Sequence, residues 1–447
     1  MEKYWGKAAI LLLAIFGIAM SLLVPSWQTP DENTHLQRIG EALGIEELSH
    51  ELHGDMPMDF TRIQAKPEEK MEKKEWREAF TKAPAYDREK LFPTGLHLSV
   101  IKYLPAALGI LLGLALHLPT FWILMLGEWF SLAFYLAGCS LALHFLPAKK
   151  EMLLIFMSFP MVIHQVASIN ADAVLLTLCV VYWSYICSLA YGDKTVGWKH
   201  AGVVLGLILL ITYIKLPYFF MILAICLIPR EKICLPVGKW KIDGKCIRRW
   251  RIPVLILAAI ACAVVIWKFR DAYDYFGVLW AMWEEKRRTW YLYKVTFLAN
   301  WQYLLVSSVG QFGWLDSALP MWFCVLTYVT AGVMAVVGGK GKVRGLAKGF
   351  AFLVFCGLFC LTFASMIHYS FEMMLDMESL PSFAVGLQWI PFIGGLQGRY
   401  FLPFVPLLFL ALPDLKIEGR WKSYVPLAYE VLAIVCTTVV LVGRYWT

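Results

Sequence analysis

About eleven apolar stretches of the kind that cross a bilayer follow one another along this chain, near 8–24, 94–118, 120–146, 151–169, 172–191, 201–229, 252–267, 320–337, 349–368, 400–413 and 424–443. Inside hydrocarbon every backbone N–H and C=O must be satisfied within the protein, so such a chain folds as a helix bundle. With 59% apolar and 17% charged residues, the expected class is all-α: a polytopic transmembrane helical protein whose residues 1–447 form a single integral membrane domain. The first stretch follows Lys3 and Lys7 as a signal peptide would. No small-residue cleavage site comes after it, and it reads as a retained helix.

The formal charge of +8 would suggest nucleic acid in a soluble domain. Here the cations sit in short connectors: Lys149 and Lys150, Lys194 and Lys199, Arg230 to Arg251, Lys340 to Lys348, and Lys416 to Lys422. That pattern is a topology signal and excludes a nucleic-acid footprint. The positive-inside rule places all five connectors and the amino terminus on the cytoplasmic side of a cytoplasmic membrane, with membrane lipids as the surroundings. None of the 11 Cys falls within 25–93, and no CxxC or Cys/His metal spacing occurs. The cysteines read as core filler, not as a disulfide framework.

Parity sharpens the topology. If 25–93 is exoplasmic, two crossings at 94–118 and 120–146 would leave Lys149 and Lys150 outside, so one of them should not cross. The segment 94–118, which is broken by Pro105 and carries His97, Lys102 and His117, reads as re-entrant or interfacial. The stretch 201–229 lies between two basic connectors and should go in and return, turning at Thr212 to Pro217. The result is about eleven spans plus a re-entrant segment, with long exoplasmic segments at 25–93, 268–319 and 369–399. The part from Tyr273 to Trp301 reads as an amphipathic helix on the outer leaflet.

Directly after the first stretch the chain reads Pro25-Ser-Trp-Gln-Thr-Pro-Asp31-Glu32-Asn-Thr-His35. Thr29, Pro30 and Glu32 would be N-cap, N1 and N3 of a helix with a capping box. Asp31, His35 and Arg38 would then share one stripe, with Leu36, Ile39 and Leu43 on another. The polar stripe is either a solvated ion-pair ladder or a general base, Asp31, with His35 orienting it or sharing a divalent cation.

The run P-x-W-Q-x-P-D-E-x-x-H resembles a bacterial family of polytopic proteins catalogued as domain of unknown function 2142. Three more stretches fit it: Ser158 to Asp172, Gly310-Gln-Phe-Gly-Trp314-Leu-Asp316, and Gln397-Gly-Arg399-Tyr400-Phe-Leu-Pro403. Near Glu128, where many relatives would carry Arg, this chain reads Gly127-Glu-Trp. That family looks like a branch of the GT-C superfamily of membrane glycosyltransferases. The resemblance implies a GT-C-like fold and a polyprenyl-phosphate-linked sugar donor. It also implies an Asp in the first external loop and a second acid at the outer end of a later helix, matched here by Asp31 and Asp172.

On that reading Asp31, Glu32 and Asp172 are the catalytic candidates, Asp31 as base and Glu32 as the capping support. Asp172 is either a helix-dipole acid or a second carboxylate for acceptor or metal. His35, Arg38, Lys215, Trp314, Asp316, Gln397, Arg399 and Tyr400 are the substrate-binding candidates. Lys215 either snorkels to the headgroups or, with Arg399, holds the lipid phosphate. Trp314 either stacks on a sugar or anchors at the interface. Asp31, His35 and Asp172 are the candidate ligands for Mg or Mn. The expected activity is inverting transfer to an envelope polysaccharide, glycolipid or protein on the exoplasmic face. The rival is a transporter or flippase of lipid-linked saccharides, against which stand the absence of an internal repeat and carboxylates at the outer interface.

Overall fold

The computed structural model describes residues 2–56, 68–237, 240–339, 343–374 and 382–446. Parts of the expected exoplasmic segments, 57–67 and 375–381, and of two basic connectors, 238–239 and 340–342, lie outside the described residues. In chain order the helices begin with α1 (Glu2–Leu23), α2 (Glu32–Leu43), α3 (Leu48–Asp55) and α4 (Lys73–Thr81). A 3-10 turn at Leu98–Tyr103 leads into α5 (Leu104–Ala115), followed by α6 (Thr120–Phe145), α7 (Lys150–Met157), α8 (Pro160–Val166) and α9 (Asp172–Tyr191). Then come α10 (Trp198–Ile214), a 3-10 helix at Leu216–Leu227, the hairpin β1 (Cys234–Val237) and β2 (Trp240–Asp243), α11 (Gly244–Phe269), α12 (Asp274–Glu284) and α13 (Lys286–Val309). A second hairpin, β3 (Gln311–Phe312) and β4 (Ser317–Ala318), precedes α14 (Met321–Val337), α15 (Gly345–Met374) and α16 (Phe383–Trp389). A 3-10 turn at Gly398–Phe404, α17 (Val405–Leu410) and α18 (Trp421–Tyr445) complete the fold.

The described residues are thus all-α but for two small hairpins. Six helices among the described residues are long and apolar enough to cross a membrane: Trp5–Leu23, Leu98–Ala115, Thr120–Phe145, Asp172–Tyr191, Gly345–Met373 and Trp421–Tyr445. Shorter apolar helices lie at Trp198–Ile214, Leu216–Leu227, Met321–Val337 and Gly398–Leu410. The stretch 151–169 is not one helix: Pro160, which cannot donate a backbone hydrogen bond, separates α7 from α8, and both halves are buried apart from residues at the start of α7. Where one amphipathic helix was expected at Tyr273 to Trp301, Glu285 breaks the chain into α12 and α13.

The expected single domain is made of two compact units, the first comprising 1–188, 306–340 and 412–447 and the second 189–305 and 341–411. The first has two poles. At its basic pole the Leu415 N–H donates to the Val336 carbonyl (2.8 Å), the Lys149 N–H to that of Gly338 (3.2 Å) and Lys422 Nζ to that of Val337 (3.0 Å). Three of the five basic connectors are therefore fastened to one another. Lys149 and Asp414 form a fully buried ion pair at 2.6 Å. At the other, polar pole the end of α18 meets the end of α1 and the segment before α4: Trp446 Nε1 donates to the Leu23 carbonyl (2.8 Å), and the Met71 N–H to that of Tyr445 (2.8 Å).

Helices α5 and α6 pack face to face through Gly109 and Gly113, where a Cβ would lie 2.2 Å from the Leu126 carbonyl oxygen and 2.9 Å from Ile123 Cα. Both ends of the 98–115 segment are tied to residues 25–93. The His97 N–H donates to the Ala42 carbonyl (2.8 Å) beside its start, and Tyr86 Oη donates to the Leu118 carbonyl (2.9 Å) beside its end. In the second unit, α10 and the following 3-10 helix pack on each other and the chain turns at Lys215, inside the expected interval. The other two basic connectors are joined there, the Val196 N–H donating to the Lys232 carbonyl (2.8 Å).

Removing one member of a buried pair strands the other charge, which typically costs about 3–5 kcal/mol. Lys149→Met and Asp414→Asn should each lower the unfolding midpoint of the purified protein markedly, and the double variant should lose less than the sum of the two. Strict additivity in a denaturation series would show that the two charges do not stabilise one another.

Candidate functional site

The acidic motif folds tightly at the polar pole. Trp27 and Asp31 both take left-handed backbone conformations (φ 67° and 66°), which L-residues adopt rarely and at a cost, least for Asp. The cause is Glu32. Its side chain is buried, and its carboxylate accepts the Trp27 N–H (Oε2, 2.7 Å), the Ile169 N–H (Oε1, 3.3 Å) and the Thr29 N–H. The helix accordingly begins at Glu32 with Asp31 as N-cap, two residues later than Thr29 would place it. Of the expected capping box only the bond from Glu32 back to the Thr29 N–H exists, and Asp31 makes no side-chain cap bond. Burial outweighs the three donors and pushes Glu32 up to about 7.

Helix α2 carries the two expected stripes: Leu36, Ile39 and Leu43 are buried, while Asp31 and Arg38 are exposed and His35 is half-buried. His35, Arg38 and Asp172 converge on Tyr103. The Tyr103 hydroxyl is 3.0 Å from His35 Nδ1, hydrogen-bonds to Arg38 and lies within reach of the Asp172 charge. Asp172 opens α9, but the cap is Asn170, whose Oδ1 accepts the Ala173 N–H at 2.9 Å. Asn170 also donates to Ser168 Oγ (2.6 Å) and the Gln165 carbonyl (3.0 Å), which fixes the turn that supplies the Ile169 N–H to Glu32.

The third motif joins the same pole. Trp314 Nε1 donates to the Trp27 carbonyl at 3.0 Å, from a hairpin turn in which Leu315 (φ 65°) and Gly313 (φ 58°) are left-handed. A Cβ on Gly313 would lie 2.2 Å from Tyr445 Oη, so only glycine fits. Asp316 is held by Arg444 (2.8 Å) and by the Ser317 hydroxyl (3.0 Å). The remaining candidates belong to the second unit, where Lys215 Nζ and Arg399 Cζ lie 5.5 Å and 5.4 Å from the centroid of the Tyr400 ring. The Tyr400 carbonyl accepts from Tyr218 Oη at 2.8 Å, and Gln397 Oε1 is buried without a hydrogen-bond partner among the described residues. Two cations therefore lie against one aromatic ring.

Metal chemistry at Asp31, His35 and Asp172 is not favoured by the geometry. Among the described residues the three-residue set whose ligand atoms converge within 4.8 Å is Glu47, His50 and Glu51, and His35 Nδ1 is engaged by Tyr103. No step is assigned to a metal. Tyr103 and Arg444 escape a reading of the sequence, and Glu128 shows there only as a departure from its relatives. Tyr103 sits in an apolar stretch, and Glu128 is a lone acid in α6 whose carboxyl is buried close enough to feel the charge of Glu32. Arg444 lies in the last turn of α18, just beyond the final apolar stretch.

A family model described as Predicted membrane protein (DUF2142) matches residues 13–408. No curated protein and no solved structure matches the chain.

Because the folded-state pKa of Glu32 exceeds its unfolded value of 4.5, the folded protein keeps this proton to higher pH. The stability it confers is complete below about pH 4.5 and falls as pH rises towards about 7, by on the order of 3 kcal/mol. Thermal unfolding in detergent from about pH 5 to about pH 8 should therefore show wild type losing stability relative to Glu32→Gln. Parallel curves for the two proteins would refute the assignment.

Proposed function

The chain belongs to the DUF2142 family of predicted membrane proteins, and we propose that it is an inverting membrane glycosyltransferase using a polyprenyl-phosphate-linked sugar. Asp31 takes the proton of an acceptor hydroxyl, whose oxygen bonds to the anomeric carbon while the bond from that carbon to the lipid phosphate breaks. The sugar passes to an envelope glycan, lipid or protein, and polyprenyl phosphate leaves. The reading places the polar pole at the exoplasmic face of a bacterial cytoplasmic membrane and the basic connectors and amino terminus inside.

The observation that carries this reading is the polar pole itself. Three non-adjacent parts of the chain fold so that Glu32 is consumed in holding backbone while Asp31 stays exposed at the start of α2, which carries His35 and Arg38 to Tyr103 and Asp172. Lys215 and Arg399 around Tyr400 suit a phosphate. The 3-10 helix that starts after Lys215 also lines an apolar groove with α15, through Phe220, Leu223, Leu353, Gly357 and Leu361, which suits a lipid chain. The rival reading as a transporter of lipid-linked saccharides is favoured by the buried break between α7 and α8, since transporters bind cargo at interrupted helices.

Reconstituted protein supplied with polyprenyl-phosphate sugars and candidate acceptors should transfer sugar. Asp31→Asn should lower turnover roughly 100- to 10,000-fold without disturbing the fold, whereas Lys215→Ala and Arg399→Ala should chiefly raise the KM for the lipid donor. Full activity in Asp31→Asn would remove the base, and translocation of lipid-linked sugar with no transfer would favour the transporter.

A further inference from the structure

In the interior of α18, on a helix long and apolar enough to cross a membrane, Glu430 is 1% exposed. Neither of its carboxyl oxygens has a hydrogen-bond partner among the described residues. It lies on the buried stripe Pro426, Glu430, Ala433, Thr437 and Leu441, on a helix that packs against α1, α7 and α8. Its charge would be felt by Tyr135 and Cys139 of α6. The Tyr135 hydroxyl donates to the Met157 carbonyl (2.7 Å) at the end of α7.

Among the described residues the neighbours offer no buried cation to Glu430. Helix α1 buries Leu13, Phe16 and Met20, and α7 buries Met152 to Met157, all apolar. Beside Glu430, Tyr429 hydrogen-bonds to Thr327 of α14 (3.2 Å), the helix that also carries Tyr328. His164 of α8 faces Phe312 and Gln165. Lys149 is paired with Asp414 and Arg444 with Asp316. A lone carboxylate here would carry the large desolvation cost of an ion in hydrocarbon, whereas the neutral acid carries only that of a buried polar group.

We propose that Glu430 is a proton-binding site within the membrane-spanning part of the first unit. The packed bundle holds it as the neutral acid, and it releases the proton only when α18 moves against its neighbours far enough for water to reach the carboxylate. Protonation is then linked to the packing of α18, whose far end carries Arg444 and Tyr445 at the polar pole. The site is independent of the proposed sugar transfer.

Dicyclohexylcarbodiimide, an apolar reagent, tests this directly. A protonated carboxyl passes its proton to a carbodiimide nitrogen while its oxygen bonds to the central carbon, and the product rearranges to a stable N-acylurea. The full-length protein in liposomes at neutral pH should carry this adduct on Glu430, mapped by peptide mass spectrometry, with none at that position in Glu430→Gln. Labelling should exceed by about tenfold that by a water-soluble carbodiimide with glycine ethyl ester, which reports hydrated carboxyls. An unmodified Glu430, or equal modification by the two reagents, would overturn the proposal. The adduct is read on the wild-type protein, so a variant that fails to fold does not obscure the result.

Discussion

The polar pole depends on one buried carboxylate. Glu32 draws the N–H groups of Trp27 and Thr29 back over itself and takes a third from Ile169, 137 residues further along the chain. Through the Trp27 carbonyl the clamp reaches Trp314, and through the Ile169 turn it reaches Asn170 and the start of α9. A carboxyl group offers two oxygens and can accept several donors at once, which is how one side chain serves three backbone groups. The left-handed conformations of Trp27 and Asp31 persist because these bonds over-determine them.

The basic pole is held by different physics. Lys149 is itself left-handed (φ 63°), and its ammonium is buried against Asp414 between connectors that hydrogen-bond through their backbones. Such a pair gives little net stability because both ions lose their water, but it is specific: no other register of the connectors would leave both charges neutralised. The helices α1, α6, α14 and α18 are thus fixed in register at one or both ends by polar contacts, while apolar side chains fill the space between.

Much of this was legible in the sequence. The bundle follows from apolar length. The two stripes of α2 follow from spacing, and the turn at Lys215 from a cation in an apolar stretch before a proline. What was not legible depends on contacts between distant segments. The capping box at Thr29 is a sound local expectation that lost to Glu32, whose decisive donor, Ile169, lies far along the chain. The ion pair that holds Asp316 was hidden because its partner Arg444 is 128 residues away. Tyr103 was hidden because an aromatic in an apolar stretch ordinarily means packing, and only the fold sets its hydroxyl beside His35 and Arg38. The break between α7 and α8 was signalled by Pro160 but masked by continuous apolarity on both sides.

The division of labour between Asp31 and Glu32 then follows from helix geometry. Successive side chains at a helix start diverge by roughly 100° around the axis, so a carboxylate turned into the bundle forces its predecessor to the other side of the backbone. Burying Glu32 exposes Asp31, and the left-handed φ at Asp31 is the bend by which the chain enters the helix from above the clamp. The two acids cannot exchange roles. An inward Asp31, one methylene shorter and outside the helix, would not span from the Trp27 N–H to that of Ile169, and the strand of chain from Pro25 to Pro30 would lose the contacts that curl it. The exposed acid is therefore held in place by the buried one, and a change at Glu32 acts on Asp31 through the backbone.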